Sequence, residues 1–231
     1  MKSSKDGKQE TINLRDRFRK LVSLWKNSFV FRWIDRYISH RFQKKLKNDH
    51  FTILCSNCIG GIIYHRLGKQ FLSPTVNMYF NQPDFVEFCL HLDYYLSQEL
   101  LFQETDYPYP VAVLQGDGAD IPSITLFFNH AKDERSAREK WNERKRRIVK
   151  DNLYIILYYL DSVTVDQLKK LESVPCKNKV VLTCMPLPDI PWSKYIKPIE
   201  SHRYAYSYLE KDIFGVRYFE KKFDFIEFLN H

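Results

Sequence analysis

The chain changes its hydrophobic rhythm near residue 50. Between Leu14 and Phe42, apolar residues recur at three- and four-residue spacing: Leu14, Phe18, Leu21, Trp25, Phe29, Ile34, Tyr37, Ile38 and Phe42. This spacing lays one apolar stripe along an amphipathic helix, or along two, with Arg and Lys over most of the remaining surface. From Phe51 onward the pattern becomes short apolar runs separated by helical segments, the rhythm of an α/β sheet. Strands are predicted over 51–55, 75–80, 111–114, 123–128, 153–160 and 179–184. Helices are predicted over 60–67, 83–98, 133–150 and 165–173, with a further apolar helix over 223–229 that packs back on the sheet. The runs I-T-L-F-F and L-Y-I-I-L-Y-Y show no polar alternation, so both are expected to be buried on two faces. The fold class is therefore α/β: three layers, with a largely parallel sheet between helices. The expected organisation is a disordered tail over 1–13, a basic amphipathic helical segment over 14–48, and one α/β domain over 49–231.

Charge sharpens that division. The chain carries a formal +8, and residues 14–47 hold eleven Lys or Arg against only Asp16 and Asp35, a local +9. The folded domain is thus close to neutral. A local excess with Trp25 and Trp33 beside it suits an anionic membrane surface or a partner protein; the alternative is docking on the domain itself. It does not suit nucleic acid, because no reading module accompanies it. The chain has no apolar run of membrane-spanning length, and its first ten residues lack the apolar core of a secretory signal. The expected location is the cytoplasm, or the inner face of the plasma membrane if the basic segment meets lipid. Cys55, Cys58, Cys89, Cys176 and Cys184 form an odd set without disulfide-scaffold spacing, so all are expected to be reduced.

Chemistry concentrates where the first strand runs into Cys55-Ser56-Asn57-Cys58-Ile59-Gly60-Gly61. A thiol at a helix start meets unpaired amides whose partial positive charge favours thiolate, so Cys58 is a candidate nucleophile. Gly60 and Gly61 would let a substrate approach the backbone and leave amides free for an oxyanion or phosphate. His130, at the end of a predicted strand, is the candidate base; if both strands are parallel, Cys58 and His130 meet at the carboxyl edge of the sheet. His65 and His91 fall inside helical patterns. On the helix from Asp133, Ala137, Trp141 and Ile148 share a buried stripe, while Lys140, Arg144, Arg147 and Asp151 border it. Arg144 and Arg147 could offer bidentate forks to phosphate or carboxylate, or pair internally. C-x-x-C at 55–58 lacks a second pair at zinc spacing, G-D-G-A-D at 116–120 reads equally as a turn, and Asp161 can be a helix cap as readily as a metal ligand. No residues are assigned to a metal site, and the need for a metal or cofactor stays open.

Four ordered motifs then carry a resemblance: S-N-C-I-G-G at 56–61, L-G-x-x-F-x-S-P-T-V-N at 67–77, P-D-F at 83–85, and the stretch 130–152 containing W-x-x-R-x-x-R-I. Together they resemble a bacterial family of exopolysaccharide or capsule biosynthesis proteins that share an uncharacterised domain. The resemblance spans roughly 51–183. That family has S-N-N-C where this chain reads C-S-N-C, so Ser56 stands in place of an Asn. The order of Cys, His and a W-x-x-R-x-x-R helix is also similar, more loosely, to papain-like cysteine peptidase domains. These resemblances imply Cys58 as nucleophile, His130 as base and Asp151 or Asn152 as orienting group. Asn57, Ser73, Asn77, Trp141 and Asn152 join Gly60, Gly61, Arg144 and Arg147 as substrate- or anion-binding candidates. The expected function is an enzyme of surface-polysaccharide synthesis that transfers or modifies a sugar or acyl group, with a nucleotide-sugar or lipid-linked glycan as partner. Two alternatives stay open: a glycosyltransferase needing no nucleophile, and a non-catalytic member of a membrane assembly complex.

Overall fold

A computed structural model describes Trp25 and residues 28–159, 162–196, 209 and 211–231. The expected tail over 1–13, the first turns of the basic helix and Asp161 lie outside the described residues. The centre is a parallel sheet in the order β1 (Thr52–Cys55), β6 (Leu153–Tyr159), β7 (Asn178–Thr183), β8 (Ser193–Tyr195). All seven residues of β6 are buried. Leu153, Ile155, Leu157 and Tyr159 enter one core and Tyr154, Ile156 and Tyr158 the other, as a strand without polar alternation requires.

A second, antiparallel sheet, ordered β2 (Tyr79–Phe80), β5 (Ile124–Phe127), β4 (Val111–Leu114), β3 (Leu101–Gln103), takes three of the strands expected in the parallel sheet. The strand expected over 75–80 keeps only its last two residues, because Asn77 adopts a left-handed turn at φ 61°. Asx side chains tolerate that region better than branched residues do.

Helix α2 (Ile59–Leu67) follows β1, and α3 (Gln82–Leu90) and α4 (Leu92–Ser97) divide the expected long helix at His91, whose φ of −116° leaves the helical region. Helix α5 (Glu134–Lys145) starts on an Asp133–Ser136 capping box. Helix α6 (Val165–Lys170), α7 (Tyr218–Lys222) and α8 (Phe225–Asn230) complete the order. As expected, the C-terminal helix covers the sheet: Phe228 meets Tyr154 edge-on at 5.4 Å.

The described part of the basic segment is α1 (Phe29–Lys45), and it docks on the domain. Phe31 is buried, Phe42 contacts Phe225 at 4.8 Å, and the Asn230 side chain clips the helix end through Lys45 O and Lys47 N. The seam is pinned by Arg66, which is 3% exposed. Its guanidinium donates to both Glu220 oxygens at 2.7 and 2.8 Å, to Asp35 at 2.7 Å, to Ser39 Oγ at 3.1 Å and to Gly215 O at 2.7 Å. A buried charge is tolerated when its hydrogen bonds are filled, and every N–H of this guanidinium is engaged.

Two outcomes follow. Arg66→Met should destabilise the fold by about 3–5 kcal/mol in urea titration, since it strands the buried Glu220 carboxylate; a loss under 1 kcal/mol would show that the cluster is dispensable. Burial raises the Asp35 carboxyl, but Arg66 and Lys211 outweigh it and leave it below the ordinary range. The stability Asp35 contributes is therefore complete above an unfolded carboxyl near ~4 and is lost as pH falls through its lower folded value. Acid titration monitored by tryptophan fluorescence should show α1 loosening below about pH 4, and Asp35→Asn should abolish that step.

Candidate functional site

The sharp turn after β1 is built by polar side chains turned inward. Ser56 is buried, its hydroxyl accepts from Tyr158 N at 3.0 Å, and its carbonyl accepts from Phe80 N at 3.1 Å. The first contact fastens β1 to β6, and the second brings the antiparallel sheet against the turn. Asn57 Oδ1 accepts from Ile59 N at 3.0 Å and from the Cys55 thiol at 3.4 Å. Asn57 therefore shapes the turn. The amides of Asn57, Ile59 and Gly60 face the buried Cys55 sulfur, whose thiol burial pushes up to about 12. A thiol in that state is no redox partner or nucleophile at neutral pH.

Cys58 caps α2 and faces out of the core. Its Sγ lies 3.3 Å from His130 Nε2, although 72 residues separate the two in sequence. The expected meeting thus occurs, by another route. Cys58 sits beyond the carboxyl end of a parallel strand, whereas His130 follows β5 of the antiparallel sheet, which the Ser56–Phe80 contact seats beside it. Burial raises the Cys58 thiol above its ordinary value, and a hydrogen bond from the Asn129 side chain acts against that rise. The helix N-terminus does not make it a standing thiolate, because desolvation wins and Cys55 and Asn57 already occupy the nearby amides. Asn129 was not singled out from sequence; its only signal there is adjacency to His130 at a strand end. Its Oδ1 is buried without a partner, a cost of roughly 1–3 kcal/mol.

Beside this pair, Pro74, Val76, Asn77, His130, Lys140 and Arg144 line a narrow crevice with room for about one water, about 10 Å³. Arg144 donates to Val76 O at 2.6 Å and stacks over Phe71 at 5.4 Å. Desolvation lowers its pKa, and among the described residues no carboxylate pairs with it. Trp141 is a core residue, edge-on to Phe128 at 6.5 Å, with its indole N–H buried and unpartnered.

Other candidates are not brought together. Asp151 and Asn152 precede β6, whose residues pair in parallel register with β1, so they lie at the amino edge, opposite Cys58. Asn152 there binds Asn48 and His50 O, tying down the segment that leaves α1. Arg147 pairs with Glu143 and does not line the crevice. Ser73 is fully buried and accepts from Thr75 N at 3.3 Å. Gly60 and Gly61 serve packing: a Cβ would fall 2.9 Å from Cys55 Cβ or 3.0 Å from Val76 Cγ1. In the G-D-G-A-D segment, Asp117 Oδ1 accepts from the amides of Ala119, Asp120 and Ile121, which makes it a turn. Among the described residues, no group of three or more His, Cys, Asp and Glu side chains is arranged to hold a metal.

Because the Cys58 thiol is raised, its alkylation by iodoacetamide should climb through and above the ordinary thiol range, with mass spectrometry assigning the site. Half-maximal labelling near neutral pH would contradict this balance of burial and hydrogen bonding. Asn129→Ala should slow labelling further at each pH while leaving urea stability unchanged or higher, since it deletes both the sulfur's donor and an unpaired buried oxygen.

The chain is 34% identical over 195 residues to an uncharacterized protein of Haemophilus influenzae, an overlap covering 84% of this chain and 91% of that one. Residues 30–230, which include all but the first residue of α1, the Cys58–His130 pair and the C-terminal helices, match a single family model. The chain belongs to the family described as Domain of unknown function (DUF1919).

Proposed function

We propose that the chain is a Cys–His enzyme that transfers or removes an acyl or glycosyl group on an anionic glycan substrate, in the setting of exopolysaccharide or capsule assembly. The observation that carries the reading is the 3.3 Å approach of Cys58 Sγ to His130 Nε2 at an accessible surface. Neutral His130 with its proton on Nδ1 takes the thiol proton as sulfur attacks the carbonyl or anomeric carbon. The leaving group departs with that proton, which gives a thioester or thioglycoside on Cys58. An acceptor hydroxyl then attacks while His130 takes its proton, and the proton passes to the departing thiolate. Asn129 steadies the sulfur as it gains charge. Arg144 and Lys140 supply the positive field for an anionic donor, whose bulk lies over the surface because the crevice is too narrow to admit it.

The substrate's anionic or lipid-linked character is also consistent with the surface of α1, where Phe29, Trp33 and Tyr37 stay exposed after docking. Aromatic residues beside cations suit an anionic membrane surface. Among the described residues no helix is long and apolar enough to cross a membrane.

With p-nitrophenyl acetate as an acyl donor, mass spectrometry should find one acetyl group on Cys58. Cys58→Ser should leave no adduct under the same conditions, and His130→Ala should slow acylation by about 10²–10⁴-fold. Full glycan synthesis by cells carrying only Cys58→Ser would reject the nucleophile and favour a transferase without a covalent step.

A further inference from the structure

Far from Cys58, α1, the end of α2 and the 211–217 segment line an open groove of about 500 Å³, within the range of small-ligand sites. Arg32, Arg36 and His40 enter it from α1 at four-residue spacing, which sets them on one helix face. Lys211, Arg217 and His65 face them. The lining contains one carboxylate, Asp35, and it is already engaged by Arg66 at 2.7 Å and Lys211 at 3.1 Å. Among the described residues, Arg32, Arg36 and Arg217 form no ion pair, although Glu220 and Asp35 lie near enough to Arg217 to act on its charge. Arg217 is the informative one. Desolvation lowers its pKa, and its Nε is buried with no acceptor. A buried N–H without an acceptor is unfavourable, and an anion in the groove that reached Arg217 Nε would remove that penalty.

We infer that this groove is a binding site for a phosphate- or diphosphate-bearing group, held by Arg32, Arg36 and Arg217. Among the described residues, the cations lining the groove outnumber its one carboxylate, whereas a phosphate dianion or diphosphate matches them in charge and accepts paired guanidinium N–H groups in bidentate fashion. Next to the basic row, Phe29, Trp33 and Tyr37 form an exposed stripe, with the Trp33 and Tyr37 rings stacked at 5.9 Å. That stripe gives an acyl or polyprenyl chain a surface to lie on if the phosphate belongs to a lipid headgroup. The site stands apart from the Cys58–His130 chemistry, and its test does not use that reaction.

Inorganic pyrophosphate should bind the full chain saturably in isothermal titration calorimetry. Arg32→Gln/Arg36→Gln, two exposed positions whose loss leaves the core intact, should weaken it about tenfold or more, and so should Arg217→Gln. Arg135→Gln on α5 serves as a control and should change nothing. Co-sedimentation with phosphatidylglycerol vesicles separates the sources. Competition by pyrophosphate, with loss in Arg32→Gln/Arg36→Gln, assigns a lipid headgroup; pyrophosphate binding without vesicle competition assigns a soluble phosphate compound. Affinity for both probes that is absent, or unchanged in all the groove variants, would overturn the site.

Discussion

The fully bonded guanidinium of Arg66 is the constraint on which the rest of the arrangement depends. It joins α1 through Asp35 and Ser39, the C-terminal region through Gly215 and Glu220, and α2 through its own backbone. An apolar seam could hold these elements with comparable strength but would discriminate less between registers. A planar donor with each N–H assigned admits one seating, a role for which buried polar groups are well suited. The burial is possible because Glu220 offers both oxygens and Asp35 is shared with Lys211.

At the other end of α2, two opposing influences meet at Cys58. A helix start ordinarily favours thiolate, yet here the amides are committed to Cys55 and Asn57, and burial disfavours charge. Burial therefore favours the protonated thiol at Cys58, 3.3 Å from His130 Nε2. Asn129 leaves its buried oxygen without a partner while its side chain hydrogen-bonds the Cys58 sulfur.

Much of this was legible in the sequence. The unbroken apolar run of β6 announced burial on two faces, and the cysteine at a strand-to-helix turn together with a histidine at a strand end announced a pair. What failed was anything that needed a third dimension. The divided sheet was hidden because β5 is as apolar as a central parallel strand, and the left-handed Asn77 and the break at His91 have no strong local signature. Asp151 and Asn152 sat in a suggestive motif, but the parallel register sends them to the far edge. Gly60 and Gly61 looked like an open ligand cradle and are instead contact points with Cys55 and Val76. Arg66 and Arg217 escaped notice, since a cation in a last helical turn or beside a turn looks like solvated decoration until its neighbours are known.

Helix α2 has nine residues, so its ends are roughly 13 Å apart. Its first turn packs against β1 through glycine with no slack: an added Cβ would meet Cys55 Cβ at 2.9 Å. A helix this short and this tightly packed moves as a unit, and its last turn is held by α1 through Arg66. The 3.3 Å contact of Cys58 with His130 therefore depends on the seating of a helix that does not touch it. Shifts of a few tenths of an ångström decide whether a proton can pass between sulfur and nitrogen, and packed interiors transmit such shifts rather than absorb them. The family match over residues 30–230 takes in nearly all of this helix together with the pair whose seating it supports.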